Sequence, residues 1–337
     1  MRRRLTVTGL TAFMVFGGPS PCLAQRQPEE RTVARRAAPV MRDTALTRPP
    51  SRTSDSSVAP HGPAFSRFSA ASSMLSRLDD NVNRDSLGVR SVGFSMALGA
   101  RFESSVLRPG LLLEYDVALH RYTATTRFNR VSQRARSTLS RRLAGRITAE
   151  LVTEGTLKGS SEDRDVSDQL AVMPRIDVRL TGAERLRIGI AQRWRRFPTD
   201  SLQDAQNRYV AIELRHRLTN GTTFSIEVRS EYNDARSTRF DFRRTAYTGG
   251  VAASLARRLT FEAEMQYRTQ VYPGRFFKLD RQDVARLDHR LQPSAGMHVH
   301  YAIADLDLRY EPEWRNSNDR RRNMAQHVLI VGLRRRW

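Results

Sequence analysis

Few side chains in this chain suggest chemistry. Its single cysteine is Cys22, so disulfide staples and a cysteine zinc site are excluded. Cleavage of a leader after Ala24 would also remove the thiol. Of seven histidines, only His298 and His300 stand two apart, on one face of an extended run with Gly296. Such a pair could ligate a metal or relay a proton. No third ligand is spaced to join it, so two polar residues on a wet face are expected. No stretch has the signature of a lipase or protease, which must gather Ser, His and a carboxylate. Gly249-Gly250 falls in a strand-like run, not in a phosphate loop before a helix. The expectation is no enzyme: no catalytic residues, no metal ligands and no cofactor.

Arginine dominates instead. The chain has 57 Lys and Arg, of which only Lys158 and Lys278 are Lys, leaving 55 Arg; against 35 Asp and Glu the net charge is +22. In a soluble protein a pI of 11.3 points to nucleic acid. Here the arginines run along the whole chain, and the aromatic residues form no compact stacking platform in the sequence. Nucleic acid is therefore set aside. Two other jobs fit. Arg134, Arg136, Arg187, Arg193, Arg195, Arg215 and Arg229, with Glu114, Glu227 and Glu262, are the expected lining of a pore, where Arg would raise the local anion concentration. Arg315, Arg320, Arg321 and Arg322 are expected in a loop, pairing with lipopolysaccharide phosphates in fork geometry. The competing reading is that Arg stands in for Lys and pairs with nearby acids.

The elements that must position these residues are strands. From Phe65 onward apolar residues recur with period two. Val92, Phe94, Met96, Leu98, Ala100 and Phe102 alternate with small or polar partners. Val210, Ile212 and Leu214 alternate with Glu213 and Arg215, and Phe224, Ile226 and Val228 with Glu227 and Arg229. Strands are expected near 65–78, 91–102, 111–121, 127–139, 146–156, 169–180, 185–197, 208–218, 223–232, 245–256, 259–272, 291–301, 305–314 and 325–337. That is fourteen, with twelve as the alternative. Short connections (140–145, 181–184, 219–222 around Asn220-Gly221, 257–258 and 302–305) alternate with long polar ones (155–168, 198–206, 233–244, 273–288 and 313–323). Asn-Gly between alternating runs is a strong hairpin signal. Tight turns at one rim and long loops at the other are the layout of a transmembrane barrel.

The rest of the sequence agrees. No run of about 20 apolar residues is present, which excludes an ordinary helical membrane protein. Residues 1–24 have a basic start (Arg2–Arg4), a short apolar stretch and a small residue at Ala24, the layout of a secretory signal peptide. Residues 25–63 are rich in Pro, Ser, Thr and Arg, contain no aromatic residue, and are expected to be disordered. Residues 64–337 are the expected barrel. Aromatic residues fall near strand ends (Tyr122, Trp194, Phe197, Tyr209, Tyr232, Tyr267, Tyr272, Tyr301, Tyr310, Trp314 and Trp337), where interfacial girdles need them. The fold expected is all-β: a transmembrane antiparallel up-and-down β-barrel behind a disordered N-terminal segment, in the bacterial outer membrane.

The last strand, with Leu329, Val331 and Leu333 alternating before Trp337, resembles the insertion signal of bacterial outer-membrane barrels. That resemblance implies recognition by the barrel-assembly machinery. Leu78-Asp79-Asp80-Asn81-Val82-Asn83-Arg84 resembles the aromatic-Asp-Asp-Asn-apolar-aromatic-Arg motif of the β-barrel porin 2 type family, with Leu78 and Asn83 in place of the aromatics. The resemblance spans 65–337 and implies an outer-membrane barrel; some family members are associated with exopolysaccharide export. Three functions stay open: a porin-like channel for small solutes, with anions as one class; a sealed barrel acting as an assembly or exopolysaccharide-export partner; and a basic soluble binding protein of the envelope.

Overall fold

The computed structural model describes residues 66–81, 88–106, 109–124, 129–159, 167–219, 221–279 and 282–336. The signal peptide, the tail at 25–63, Val82–Arg84 of the motif, Asn220 and Trp337 lie outside them. The described residues form fourteen strands: β1 Ser66–Asp79, β2 Ser91–Ser104, β3 Gly110–Tyr122, β4 Arg130–Ala144, β5 Ile147–Gly159, β6 Asp168–Arg179, β7 Glu184–Arg196, β8 Ala205–Arg217, β9 Thr223–Ala235, β10 Phe242–Ala256, β11 Leu259–Leu279, β12 Gln282–His300, β13 Asp305–Ser317 and β14 Met324–Arg336. Each pairs antiparallel with its sequence neighbours, and β14 returns to β1, so the sheet closes. Closure is what lets strands meet hydrocarbon, because no edge is left with unpaired backbone groups.

Period-two alternation is realised as two faces. Phe94, Met96 and Leu98 on β2, Val210, Ile212 and Leu214 on β8, and Phe224, Ile226 and Val228 on β9 are exposed on the outside. Their neighbours Glu213, Glu227 and Arg229 turn inward. The outer face is apolar and suited to lipid, the inner face polar and suited to water. At the seam, Leu78 faces Leu329 and Met74 faces Leu333, so the alternating residues of the last strand meet the apolar residues of the first on the outside. The turn before β9 uses Gly221 at φ +83, a backbone open to glycine at little strain.

Two proline sites interrupt the ladders. Between β12 and β13 the pairing runs to Leu291–Trp314 and resumes at Ala295–Tyr310, so Pro293 and Pro312 come opposite one another in the gap. Pro174 lies in a similar gap between Val172–Gln192 and Arg175–Gly189. Proline has no N–H to give to a ladder.

The structure corrects several expectations. The long loop expected at 273–288 is mostly strand: β11 continues to Leu279, and β12 begins at Gln282. Pro273-Gly274 reads as a breaker, but the chain absorbs it as a bulge between Tyr272 and Phe276. The connections expected at 198–206, 233–244 and 313–323 are shorter, each tightened by one 3-10 turn at Ser201–Gln203, Thr238–Phe240 and Arg320–Arg322. Arg315 is on β13, buried beside the Met324 sulfur, not in a loop.

Candidate functional site: an arginine-rich barrel interior

Inward-facing side chains from β3 to β13 surround a cavity of about 790 Å³. Strand parity puts them there: once one face meets lipid, every second residue faces in. The seven arginines expected to line a pore all reach this cavity, as do Glu227 and Glu262. Glu114 is on the inner face nearer the short-turn rim, within 3.9 Å of both Arg101 and Arg136.

Most of these charges are paired across or along strands. Arg134 meets Glu154 at 2.8 Å. Arg187 reaches Asp177 at 3.0 Å on one side and Glu213 at 3.5 Å on the other. Arg215 pairs with the same Glu213, and Arg229 with Glu227 at 2.8 Å. These rungs link β4 to β5 and β6 to β8. Arg193 and Arg195 are held differently. The Arg193 guanidinium lies 5.7 Å from the centre of the Tyr209 ring, with Arg229 at 5.0 Å from the same ring, and Arg195 lies 5.0 Å from the centre of Phe197.

Those rings correct the expected girdle. Trp194, Tyr232, Tyr267, Tyr310 and Trp314 are exposed on the outside. Tyr209, Phe197 and Tyr272 face the interior and line its cavity. Their sequence neighbours carry the signal: Tyr209 shares parity with Glu213, Phe197 with Arg195, and Tyr272 with Arg268. The interior thus gathers the aromatic surface that the sequence spreads out. Arg175 and Arg309, charged residues of the polar strand faces, line the same cavity, and so do Arg130, Lys158, Arg244, Arg268 and Arg290, which sequence reading left out of the pore although they share its parity; Arg275 reaches it from the bulge, where parity breaks.

The histidines do not converge. His298 sits between Asp307 and Glu262, its Nε2 3.5 Å from Glu262, and His300 meets Asp305 at 2.9 Å. Each histidine is thus engaged by carboxylates of neighbouring strands, not by the other. His120 shares hydrogen bonds with Ser95 at Nδ1 (2.8 Å) and Ser132 at Nε2 (3.1 Å). Both ring nitrogens meet hydroxyls, so no carboxylate orients this ring as in a Ser-His-acid relay.

No family model matches the chain, so the likeness of Leu78–Arg84 to the β-barrel porin 2 type motif stays a likeness of those residues. No curated protein matches the sequence. Among solved structures the chain is similar to OmpT, an outer membrane protein of Vibrio cholerae. In its outer-membrane expressed form the TM-score is 0.50 at 10% identity, covering 82% of this chain and 99% of that one. A loop-deletion form of OmpT gives a TM-score of 0.50 and covers 100% of that chain. An anion-selective porin from Comamonas acidovorans aligns with a TM-score of 0.47 at 9% identity, covering 81% of this chain. At such identity the likeness is one of architecture: this chain has the fold of outer-membrane β-barrel proteins.

Proposed function

We propose that the chain is an outer-membrane channel for passive passage of small anions. One observation carries this reading, the charge balance of the interior: fifteen Arg or Lys against eight Asp or Glu line the cavity. Fixed positive charge around a narrow aqueous path concentrates anions and repels cations. Fourteen strands also enclose more space than wall side chains fill, since about eight strands already fill theirs. The lining moves solute without a covalent step.

The outside of the barrel supports placement in a membrane, since its exposed residues are largely apolar with aromatics near the strand ends. The exposed Arg320 and Arg321 stand at the long-loop rim, and under this reading they meet lipopolysaccharide phosphates. Strand β14, with Leu329, Val331 and Leu333 on the lipid side, is the segment offered to the barrel-assembly machinery.

The test is conductance of the refolded protein in a planar bilayer under a KCl gradient. Discrete steps with a reversal potential favouring chloride are expected. Steps without selectivity remove the anion reading, and silence from inserted protein favours the sealed barrel.

A further inference from the structure

β11 and β12 have 21 and 19 residues, whereas the other strands have 12 to 15. A crossing takes about 9–11 residues, so the long hairpin projects beyond the membrane. β10 accompanies β11 only as far as Val271. Just past that point β11 bulges by three residues, because Tyr272 pairs with Arg286 and Phe276 already pairs with Ala285. Within the bulge, Gly274 lies so close to the 238–240 turn that a Cβ there would clash with the Thr238 carbonyl oxygen. Only glycine allows that approach. The Arg275 Nε–H then donates to the Arg239 carbonyl at 2.6 Å.

The close approach stacks cations and rings alternately. Arg239 and Arg275 lie 4.7 and 5.1 Å from the centre of the Phe240 ring. Arg275 and Arg286 lie 5.3 and 4.5 Å from the centre of the Tyr272 ring. Arg322, on the turn before β14, brings a fourth positive charge to Arg275 and Arg286. Two carboxylates answer these four: Asp288 takes both the Nε–H and an Nη2–H of Arg286, at 2.9 and 2.5 Å, and Asp319 lies 3.9 Å from Arg322. Burial first, and then Arg286, Arg322 and Arg239, push the Arg275 guanidinium down to about 10. Burial and Arg286 also lower Arg322.

Held by their faces, Arg239 and Arg275 keep in-plane Nη–H donors for an anion. Several such edges around one point suit a tetrahedral oxyanion of charge two, which accepts from more than one fork and offsets the excess charge. Chloride has neither the valence nor the oxygens. The geometry points to a phosphate-binding site at the long-loop mouth, specific for a phosphate monoester or hydrogen phosphate dianion, held by Arg239, Arg275 and Arg322 over Phe240 and Tyr272, with Arg286 fixed by Asp288. The inference deepens the proposed function and rests on reading this rim as the outer mouth of a membrane channel. The phosphate could belong to a passing solute or to lipid A of the surrounding leaflet.

The experiment is calorimetric titration of the full refolded barrel, in zwitterionic detergent, with inorganic phosphate above its second ionisation. Saturable binding is expected, with chloride giving none. The double variant Arg239→Ala/Arg275→Ala should bind about tenfold more weakly, as expected for lost hydrogen bonds between charged groups. Arg236→Ala, which removes an exposed cation from the same β9–β10 connection as Arg239, should leave binding unchanged. No saturable heat from the wild type overturns the site, and so does undiminished binding by a double variant that migrates as a folded barrel. If that variant does not fold, Arg275→Lys keeps the charge and loses the fork; unchanged affinity there also overturns it. Added lipid A that displaces phosphate assigns the site to the headgroup, while binding that persists assigns it to a solute. Silent bilayers with phosphate heat intact sink the channel and keep the site; anion-selective steps without phosphate heat do the reverse.

Discussion

Gln326 on β14 and Asp79 on β1 are joined across the seam that closes the barrel. The amide nitrogen of Gln326 lies 2.8 and 2.9 Å from the two carboxylate oxygens of Asp79. Asp79 also accepts from the Asn81 N–H at 3.0 Å and pairs with Arg77 at 3.1 Å. Next to it, Asp80 accepts from the backbone N–H of His327 at 2.6 Å, and the Asn81 side chain donates to the Ala325 carbonyl at 3.0 Å. The Asp-Asp-Asn run thus extends the β1–β14 pairing past the end of β1.

This lock makes the first prediction. Asp79→Ala leaves a buried arginine without its carboxylate, a change that costs about 3 kcal/mol or more. Urea unfolding in lipid vesicles should show the loss. Gln326→Leu should cost less, about 1–2 kcal/mol, because it removes hydrogen bonds without stripping Arg77 of its partner. Equal and negligible effects would mean that the seam is held by its backbone ladder alone.

The two faces of β8 make the second. Ile212 is exposed on the outside near the strand centre and Ala211 lines the interior. Ile212→Arg should destabilise the inserted barrel by about 2–4 kcal/mol, the cost of a cation at the bilayer midplane. Ala211→Arg should cost far less, since its side chain enters a polar space. The same unfolding assay compares them, and a reversed order would turn the barrel inside out.

Selectivity makes the third. Arg193 rests on Tyr209, and among the described residues no carboxylate within ion-pair distance answers it. Arg193→Glu changes the local charge by two and should move the reversal potential toward cations, while Arg193→Gln should move it in the same direction by less. A reversal potential fixed in both variants would place the selective charge elsewhere in the wall.

Gly274 makes the fourth. Gly274→Ala drives a methyl into the Thr238 carbonyl, and the 238–240 turn must retreat. A loss of about 1–3 kcal/mol is expected from such overpacking. Phosphate affinity should fall with it, because Arg239 leaves Arg275. Stability lost with affinity kept would separate the turn from the site.

The fourteen strands were legible in the sequence, because lipid on one side and water on the other favour alternation, plainest on β2, β8 and β9, although the outer ends of β11 and β12 were not. The lumen arginines followed from the same parity. Depth and face were harder to separate. Phe197, Tyr209 and Tyr272 stand near strand ends, which suggested the girdle, yet each shares parity with a charged neighbour and so faces in. The sequence alternation ends at Trp314 and puts Arg315 in a loop, although Arg315 continues the parity of Glu311 and Glu313. The approach of Arg239 to Arg275 was not legible at all. It depends on a missing Cβ at Gly274 meeting a carbonyl from a different hairpin, and no local pattern records that.

The facing prolines have a consequence for how the wall opens. Where Pro293 meets Pro312, two neighbouring strands share no backbone bond that must break before they part. Cooperative loss of a barrel is expected to start where the fewest bonds resist. This gap is therefore the built-in tear line of the cylinder. Amide deuterium uptake should run ahead at Leu291, Ala295, Tyr310 and Trp314, which flank the gap in the β12–β13 ladder, while the longer ladder between β1 and β2 stays protected.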